Sequence, residues 1–462
     1  MKKVFVFFMI IIMIIMTVLT GCGTGETDRK SELNDSLEST YEELTATFSG
    51  ETGQYDLVAE YLQSWARKND ITISANEATY MVLENPATEG GKKAESTVLQ
   101  CSIDTGSFGS SLQSLAISLT SLLGPLEHGD IALIITETNN GEYTGASSIE
   151  TKYLEYDNFI NMSQNDDVEL YTSGSYAASA SMTTALSASE PYYSNAYEIT
   201  MKISGYHDPF DTKESDYPNP VEVIGNLLAS EKSSGQLFQL ASFNCEAKDG
   251  YIPTSATAVV VIDGNDIDGF EKKFKTSYNN MKKKFEKLKD NFVYTLTATE
   301  LPSSVISNET SDNIISLMYT LKTGVYLQDE DSGELIALSE ISDVSTENGS
   351  FKLTTSLRST DKAVISEMSE VFLTTSGLCN IDFGVSDTGI TWPSKDNTEL
   401  ASFFSDALGA EKTVFDTTLE SSECDVFARK ASLNMISYRC NIHHGEAALS
   451  NICFFLESLT SE

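Results

Sequence analysis

The 462-residue chain sets 68 Asp and Glu against 30 Lys and Arg, a formal charge of −38 at pH 7, and has only four histidines. Such a surface lacks the clustered cations that phosphate binding requires, so nucleic acid is excluded as a partner and the acidity reads as a soluble coat. Roughly 410 residues remain once the amino-terminal segment is set aside, more than one hydrophobic core ordinarily holds, so two domains are expected.

The chain opens with Lys2 and Lys3, runs through unbroken apolar sequence from Val4 to Met16, and reaches Leu19-Thr20-Gly21-Cys22. An apolar run of about 13 residues is too short to span a bilayer but suits the core of a signal peptide, with small residues before the cleavage point. Residues 1–21 therefore read as a lipoprotein signal peptide and Cys22 as the lipidation site. The expected location is the extracytoplasmic face of the cell membrane, with the membrane as partner through the lipid. Residues 22–48, rich in Gly, Ser, Thr and Glu, read as the lipidated cysteine followed by a solvated tether. The other cysteines, Cys101, Cys245, Cys379, Cys424, Cys440 and Cys453, follow no CxxC spacing and are expected mostly as small buried residues.

Apolar residues at Leu57, Val58, Tyr61, Leu62 and Trp65 predict a helix over 54–68. Strands are expected over 72–83 and 97–101, separated by a polar turn with Pro86 and Gly90-Gly91. A helix over 108–123 and strands over 131–136 and 159–162 follow, and this alternation predicts a three-layer α/β domain. His128, in a Gly-Pro-Leu-Glu-His-Gly turn, is expected to be exposed. From residue 191 the pattern changes to strand 197–203, helix 221–229, strands 237–244 and 256–262, helix 270–289 and strand 292–298, the βαββαβ order of a ferredoxin-like unit. Residues 305–385 repeat part of that order. The expectation is an α/β fold: a discontinuous three-layer domain in two parts, 49–190 and 387–462, with an inserted α+β lid over 191–386 made of two ferredoxin-like halves. The lysines of the 270–289 helix read as a solvated face.

Within the first domain, Thr97–Ser107 reads TVLQCSIDTGS, an apolar strand opening into a polar turn, which is where α/β sheets hold ligands. Further motifs are NPATEG at Asn85–Gly90, TGA at Thr144–Ala146, GYHDPFD at Gly205–Asp211, Ile252-Pro253, Leu357-Arg358-Ser359 and ECDVF at Glu423–Phe427. Together, over about residues 55–458, they resemble the aminoacyl-histidine dipeptidases, a carnosinase-related branch of the two-zinc peptidases. The resemblance implies a peptidase-like domain with a lid. It also implies a site in which two zinc ions share a carboxylate and a water that a Glu deprotonates for attack on the peptide carbonyl.

At the positions that the resemblance assigns to this centre the chain departs from the pattern. Ser102 stands for the first His, while Asp104 two residues on is retained. No Asp or Glu falls between Ser107 and Gly109, where the bridging carboxylate belongs; Asn139 and Asn140 replace two glutamates, and Ser163 replaces another carboxylate. His444 is the counterpart of the last His, followed by Gly445-Glu446. Hydroxyls and amides do not supply the anionic oxygens that offset dication desolvation, and an amide accepts no proton at neutral pH. Neither a metal, nor another cofactor, nor a catalytic residue is therefore expected. His207 and Arg358 occupy substrate-side positions of the resemblance and are candidates for ligand binding.

The reading is a membrane-anchored, catalytically inactive relative of zinc dipeptidases whose interdomain cleft binds a peptide or a cell-envelope component. The competing reading is an active metallodipeptidase rebuilt from Asp104, Glu137, Glu142, His444 or Glu446.

Overall fold

Apolar runs such as Thr97–Asp104 and Ile131–Thr138 are buried on both faces, and both are central strands of a largely parallel sheet in the computed structural model of this chain. The structure describes residues 25–50, 53–139, 142–210, 217–248, 250–288, 291–331, 333–393, 399–408 and 413–460. Cys22 and Asn140 lie outside the described residues.

In chain order the first elements are α1 (Gly25–Thr47), α2 (Tyr55–Lys68), β1 (Thr72–Asn76), β2 (Tyr80–Asn85), β3 (Thr97–Asp104), α3 (Phe108–Leu123), β4 (Ile131–Thr138), α4 (Thr144–Ser148), β5 (Asn158–Ser163) and β6 (Glu169–Gly174). Then come β7 (Tyr176–Ala185), β8 (Ala188–Ser189), β9 (Asn195–Ile203), α5 (Pro220–Ser233), β10 (Phe238–Glu246), β11 (Ser255–Ile262), α6 (Ile267–Lys284), β12 (Phe292–Ala298) and β13 (Val305–Ile306). The chain continues with α7 (Asn308–Thr320), β14 (Gly324–Gln328), β15 (Leu335–Ser345), β16 (Ser350–Ser359), α8 (Lys362–Leu378) and β17 (Asp382–Ile390). It ends with α9 (Glu399–Leu408), β18 (Thr413–Thr418), α10 (Glu423–Lys430), β19 (Met435–Arg439) and α11 (Gly445–Ser458).

The base sheet has the order β1-β2-β4-β3-β5-β19-β6-β18. Its centre, β4-β3-β5-β19, is parallel throughout. Side chains alternate between the two faces of a strand. On one face Leu99, Cys101 and Ile103 of β3 pack in a core with Leu62 of α2, Leu115 and Leu119 of α3, Phe404 of α9 and Phe455 of α11. On the other, Val98, Ile134, Phe159 and Met435 pack with Ala146 of α4 and Phe427 of α10. These are the three layers expected, with β18 and β19 returning to the first sheet.

The lid contains two copies of one topology. In the first, β9-α5-β10-β11-α6-β12 folds into an antiparallel sheet of order β10-β11-β9-β12. In the second sheet, of order β14-β15-β16-β7-β17, β7 pairs with both β16 and β17. Hence β7, α7, β15, β16, α8 and β17 repeat the βαββαβ order, with the first unit inserted after the leading strand. The lid sheet accordingly begins at Tyr176 rather than at residue 191 and runs to Ile390. Its leading strand, YAASASMTTA, carries small residues in place of a strong apolar alternation, which is why its sequence signal is weak.

Three other expectations are corrected. From residue 25 onward the stretch read as a tether is helix α1, with Leu33, Leu37, Leu44 and Phe48 buried in the base core. Those positions, with partly buried Tyr41, recur every three or four residues and form one apolar stripe on an otherwise acidic helix. The strand expected over 72–83 is an antiparallel pair, β1 and β2, turning at Glu77–Thr79. His128 is buried, its Nδ1 2.7 Å from the Gly129 carbonyl, because its turn folds back onto Thr88 through backbone and hydroxyl hydrogen bonds.

A docked α1 is structural, so Leu44→Ala should lower unfolding free energy by about 2–5 kcal/mol, as truncation of a buried leucine does. Denaturant titration measures this, and a solvated tether would show no change.

Candidate functional site

The parallel register brings several of the singled-out positions to the carboxyl edge of the base sheet. Ser102 pairs with Thr136 and Asp104 with Thr138 across β3 and β4, while Ser163 pairs with Arg439 across β5 and β19. One row lower, Gln100 of β3, Asn161 of β5 and Ser437 of β19 are register partners on a shared face.

That face is covered by α10, whose first residue, Glu423, is buried. Gln100 Nε2 donates to its carboxylate at 2.6 Å, Thr136 Oγ1 at 2.6 Å and Thr138 Oγ1 at 3.3 Å. Behind them the donors run in one direction: Ser437 Oγ donates to Asn161 Oδ1 at 2.8 Å, Asn161 Nδ2 donates to Gln100 Oε1, and Gln100 donates to Glu423. The chain of donors in this buried row ends on one carboxylate, with Gln100 Nε2 also donating to Thr136 Oγ1 at 3.0 Å. Burial raises the Glu423 carboxyl above its ordinary range, and the hydrogen bonds from Thr136, Gln100 and Thr138 pull it back in part.

Two neighbours of Glu423 are also committed. Glu420 pairs with Arg439, which is buried and lies over the Tyr171 ring at 4.4 Å. Asp425 Oδ2 is 3.4 Å from Arg358 Nη2 and accepts the Ser422 N–H at 3.2 Å. Arg358 comes from β16 of the lid, donates through Nη1 to the Leu419 carbonyl at 2.9 Å, and stacks over Phe210 at 4.6 Å. It is a bridge from lid to base. Other bridges are the Ser421 N–H donating to Asp208 Oδ2 at 3.2 Å and an ion pair between Lys248 of the lid and Glu142 of the base.

A cavity of about 480 Å³ remains between lid and base, lined among others by Tyr143, Tyr251, Phe210, Arg358, Asp425 and Arg429. His207 is not among the lining residues. It is buried, with Nε2 2.8 Å from the Ser204 carbonyl and its ring stacked on Tyr217 at 3.3 Å. Of the two ligand-binding candidates, Arg358 thus faces the cavity and His207 packs within the lid.

The remaining positions serve local structure. Asp104 Oδ1 accepts the Gly106 N–H at 2.9 Å in the turn after β3. Asn139 is exposed and its Oδ1 accepts from Thr105 Oγ1 at 3.0 Å. The Ser163 carbonyl accepts the Cys440 N–H at 3.1 Å. His444 ends a 3-10 turn whose Ile442 N–H donates to Gln113 at 2.8 Å. Glu142 is taken by Lys248, Glu446 is exposed, and Glu137 alternates to the face of β4 opposite Thr136 and Thr138.

Among the described residues, no group of three or more His, Cys, Asp or Glu side chains is placed to hold a metal ion. The residues present do not fit a zinc pair: Ser102 and Ser163 offer neutral hydroxyls at this edge, both oxygens of Glu423 already accept hydrogen bonds, and a guanidinium, Arg439, is the register partner of Ser163. Sequence reading passed over Gln100, Glu420, Glu423, Asp425 and Arg439 as parts of the site. A polar Gln inside an apolar strand and three acidic residues within the ESSECD stretch were the available signals.

No protein-family model matches the chain, and no curated protein sequence matches it. Among solved structures, aminoacylhistidine dipeptidase from Vibrio alginolyticus aligns over 92% of this chain and 95% of its own, with 16% identity and a TM-score of 0.51. A tripeptidase from Staphylococcus aureus aligns over 93% of this chain and 99% of its own, with 13% identity and a TM-score of 0.48. What is shared at such identities is the fold, a peptidase-like α/β base carrying a lid.

Two outcomes are expected. A native carboxyl pKa above the unfolded one means that the folded chain keeps its proton longer. The Glu423 contribution is then full below its ordinary value of 4.5 and declines as pH rises through the native value. Glu423→Gln does not titrate, so its unfolding free energy relative to the parent should rise from pH 4.5 to 7; a pH-independent difference contradicts this. Separately, Arg358→Leu strands the Asp425 charge in a buried setting and should cost about 3 kcal/mol, part of which Arg358→Leu/Asp425→Leu recovers in a double-mutant cycle.

Proposed function

We propose that this chain is an extracytoplasmic lipoprotein, anchored to the cell membrane through lipid on Cys22, that keeps the scaffold of a zinc dipeptidase without its hydrolytic centre. The observation that carries this is the Glu423 row: where metal chemistry needs imidazoles and open carboxylates, hydroxyls and amides converge on a carboxylate they already satisfy. A dication at this acid would compete with donors already on both of its oxygens, and the asparagine at 139 is no proton acceptor at neutral pH.

The interdomain cavity takes a peptide or a cell-envelope component without cutting it. Its volume lies in the range of small-ligand sites, and its lining combines aromatic side chains with both charge signs. Arg358 shapes this cavity from the lid side.

Purified protein should contain far less than one zinc or manganese per chain by plasma mass spectrometry. It should also show no hydrolysis of a dipeptide panel above background, with or without added metal. Stoichiometric metal together with chelator-sensitive turnover contradicts the proposal and favours a rebuilt metallodipeptidase.

A further inference from the structure

Among the described residues of the base domain, two large apolar side chains are prominently exposed, Leu123 at 43% and Leu126 at 68%; all the others lie between Tyr192 and Val385, in the lid region. The two leucines flank Gly124, whose carbonyl accepts a hydrogen bond from Arg29 of α1. Arg29 also pairs with Glu457 of α11 at 3.6 Å, and Glu457 in turn accepts the Leu126 N–H at 2.7 Å. The exposed pair is therefore fixed to the first turns of α1.

Chain geometry limits how far the anchor lies from this corner. Gly25 is three residue steps along the chain from Cys22, and Arg29 is four steps beyond Gly25. At no more than 3.8 Å per residue up to the helix and 1.5 Å per residue within it, Cys22 lies within about 17 Å of Arg29, whatever path the first segment takes.

The corner is also opposite the cleft. Helix α3 starts just after β3, at the carboxyl edge of the sheet, and runs back for 16 residues, about 24 Å, to Leu123. Strand β4 then begins at Ile131 and runs parallel to β3 toward the cleft. The Leu123–Leu126 turn thus sits at the amino edge of the sheet.

We infer that this turn is a membrane-contact surface. With lipid on Cys22, Leu123 and Leu126 enter the interfacial layer of the bilayer, and the interdomain cleft faces away from it. The docking of α1 makes the attachment a fixed mount, and orientation follows from it. This rests on the lipidation in the proposed function and adds the surface that meets the lipid.

The test uses the full chain, with Cys22 lipidation checked by mass spectrometry, reconstituted in phosphatidylcholine–phosphatidylglycerol vesicles brominated on the acyl chains. The native tryptophans, Trp65 and Trp392, are 8% and 0% exposed and give a quiet background. Fluorescence of Leu126→Trp should be quenched severalfold more than that of Leu378→Trp, a lid position 85% exposed. Equal quenching at both positions in lipidated protein overturns the contact surface and leaves the anchor standing. A Cys22 without lipid overturns the anchor and, with it, this inference.

Discussion

A carboxylate taken out of water must be met by donors or by a cation, and the six-residue stretch from Glu420 to Asp425 directs three of them into the base of the cleft. Glu420 meets Arg439 from β19, Glu423 meets the hydroxyls and amide of β3 and β4, and Asp425 meets Arg358 from the lid. Both oxygens of Glu423 and Oδ2 of Asp425 have partners within the chain, while the buried Oδ1 of Asp425 accepts no hydrogen bond. An ion approaching Glu423 would compete with the donors already on both of its oxygens, and displacing one would leave it buried and unsatisfied. This constraint connects the carboxyl edge of the sheet to the rest of the fold, because Gln100, on the same strand face as Ser102, is one of the donors to Glu423.

The same segment joins the two domains. Asp208 of the lid accepts the Ser421 N–H, Tyr143 of the base donates to the Ser421 carbonyl at 3.0 Å, and Arg358 reaches both Leu419 and Asp425. The cavity exists because these contacts span its rim. At the other end of the base domain, α1 packs its apolar stripe against α3 and α11. The cavity end and the α1 end of the base domain are thus fixed through one continuous core.

Much of the architecture is written in local pattern. The apolar runs of β3 and β4, the periodicity of α2 and the βαββαβ order of the first lid unit each mark an element without help from distant residues. Where packing decides, local pattern falls short: β7 is a strand because β16 and β17 flank it, and α1 is a docked helix because its sparse stripe finds α3. The candidate site divides along the same line. The departures at Ser102, Asn139 and Ser163 from the pattern the chain resembles are legible position by position, whereas Glu423 meets Gln100 across 323 residues of chain and enters the site only through the fold. Arg358 is legible as a lid arginine, but its engagement with Asp425 is tertiary.

The account turns on whether the cleft accepts a pair of metal ions when they are offered in excess. Diffraction from crystals grown with millimolar zinc, recorded on both sides of the zinc absorption edge, tests this most directly. The account predicts no pair of anomalous peaks among Ser102, Asp104, Ser163 and His444, with Glu423 still bonded to Gln100 and Thr136. Two peaks a few ångströms apart at that edge of the sheet, ligated by Asp104 and His444, would contradict it.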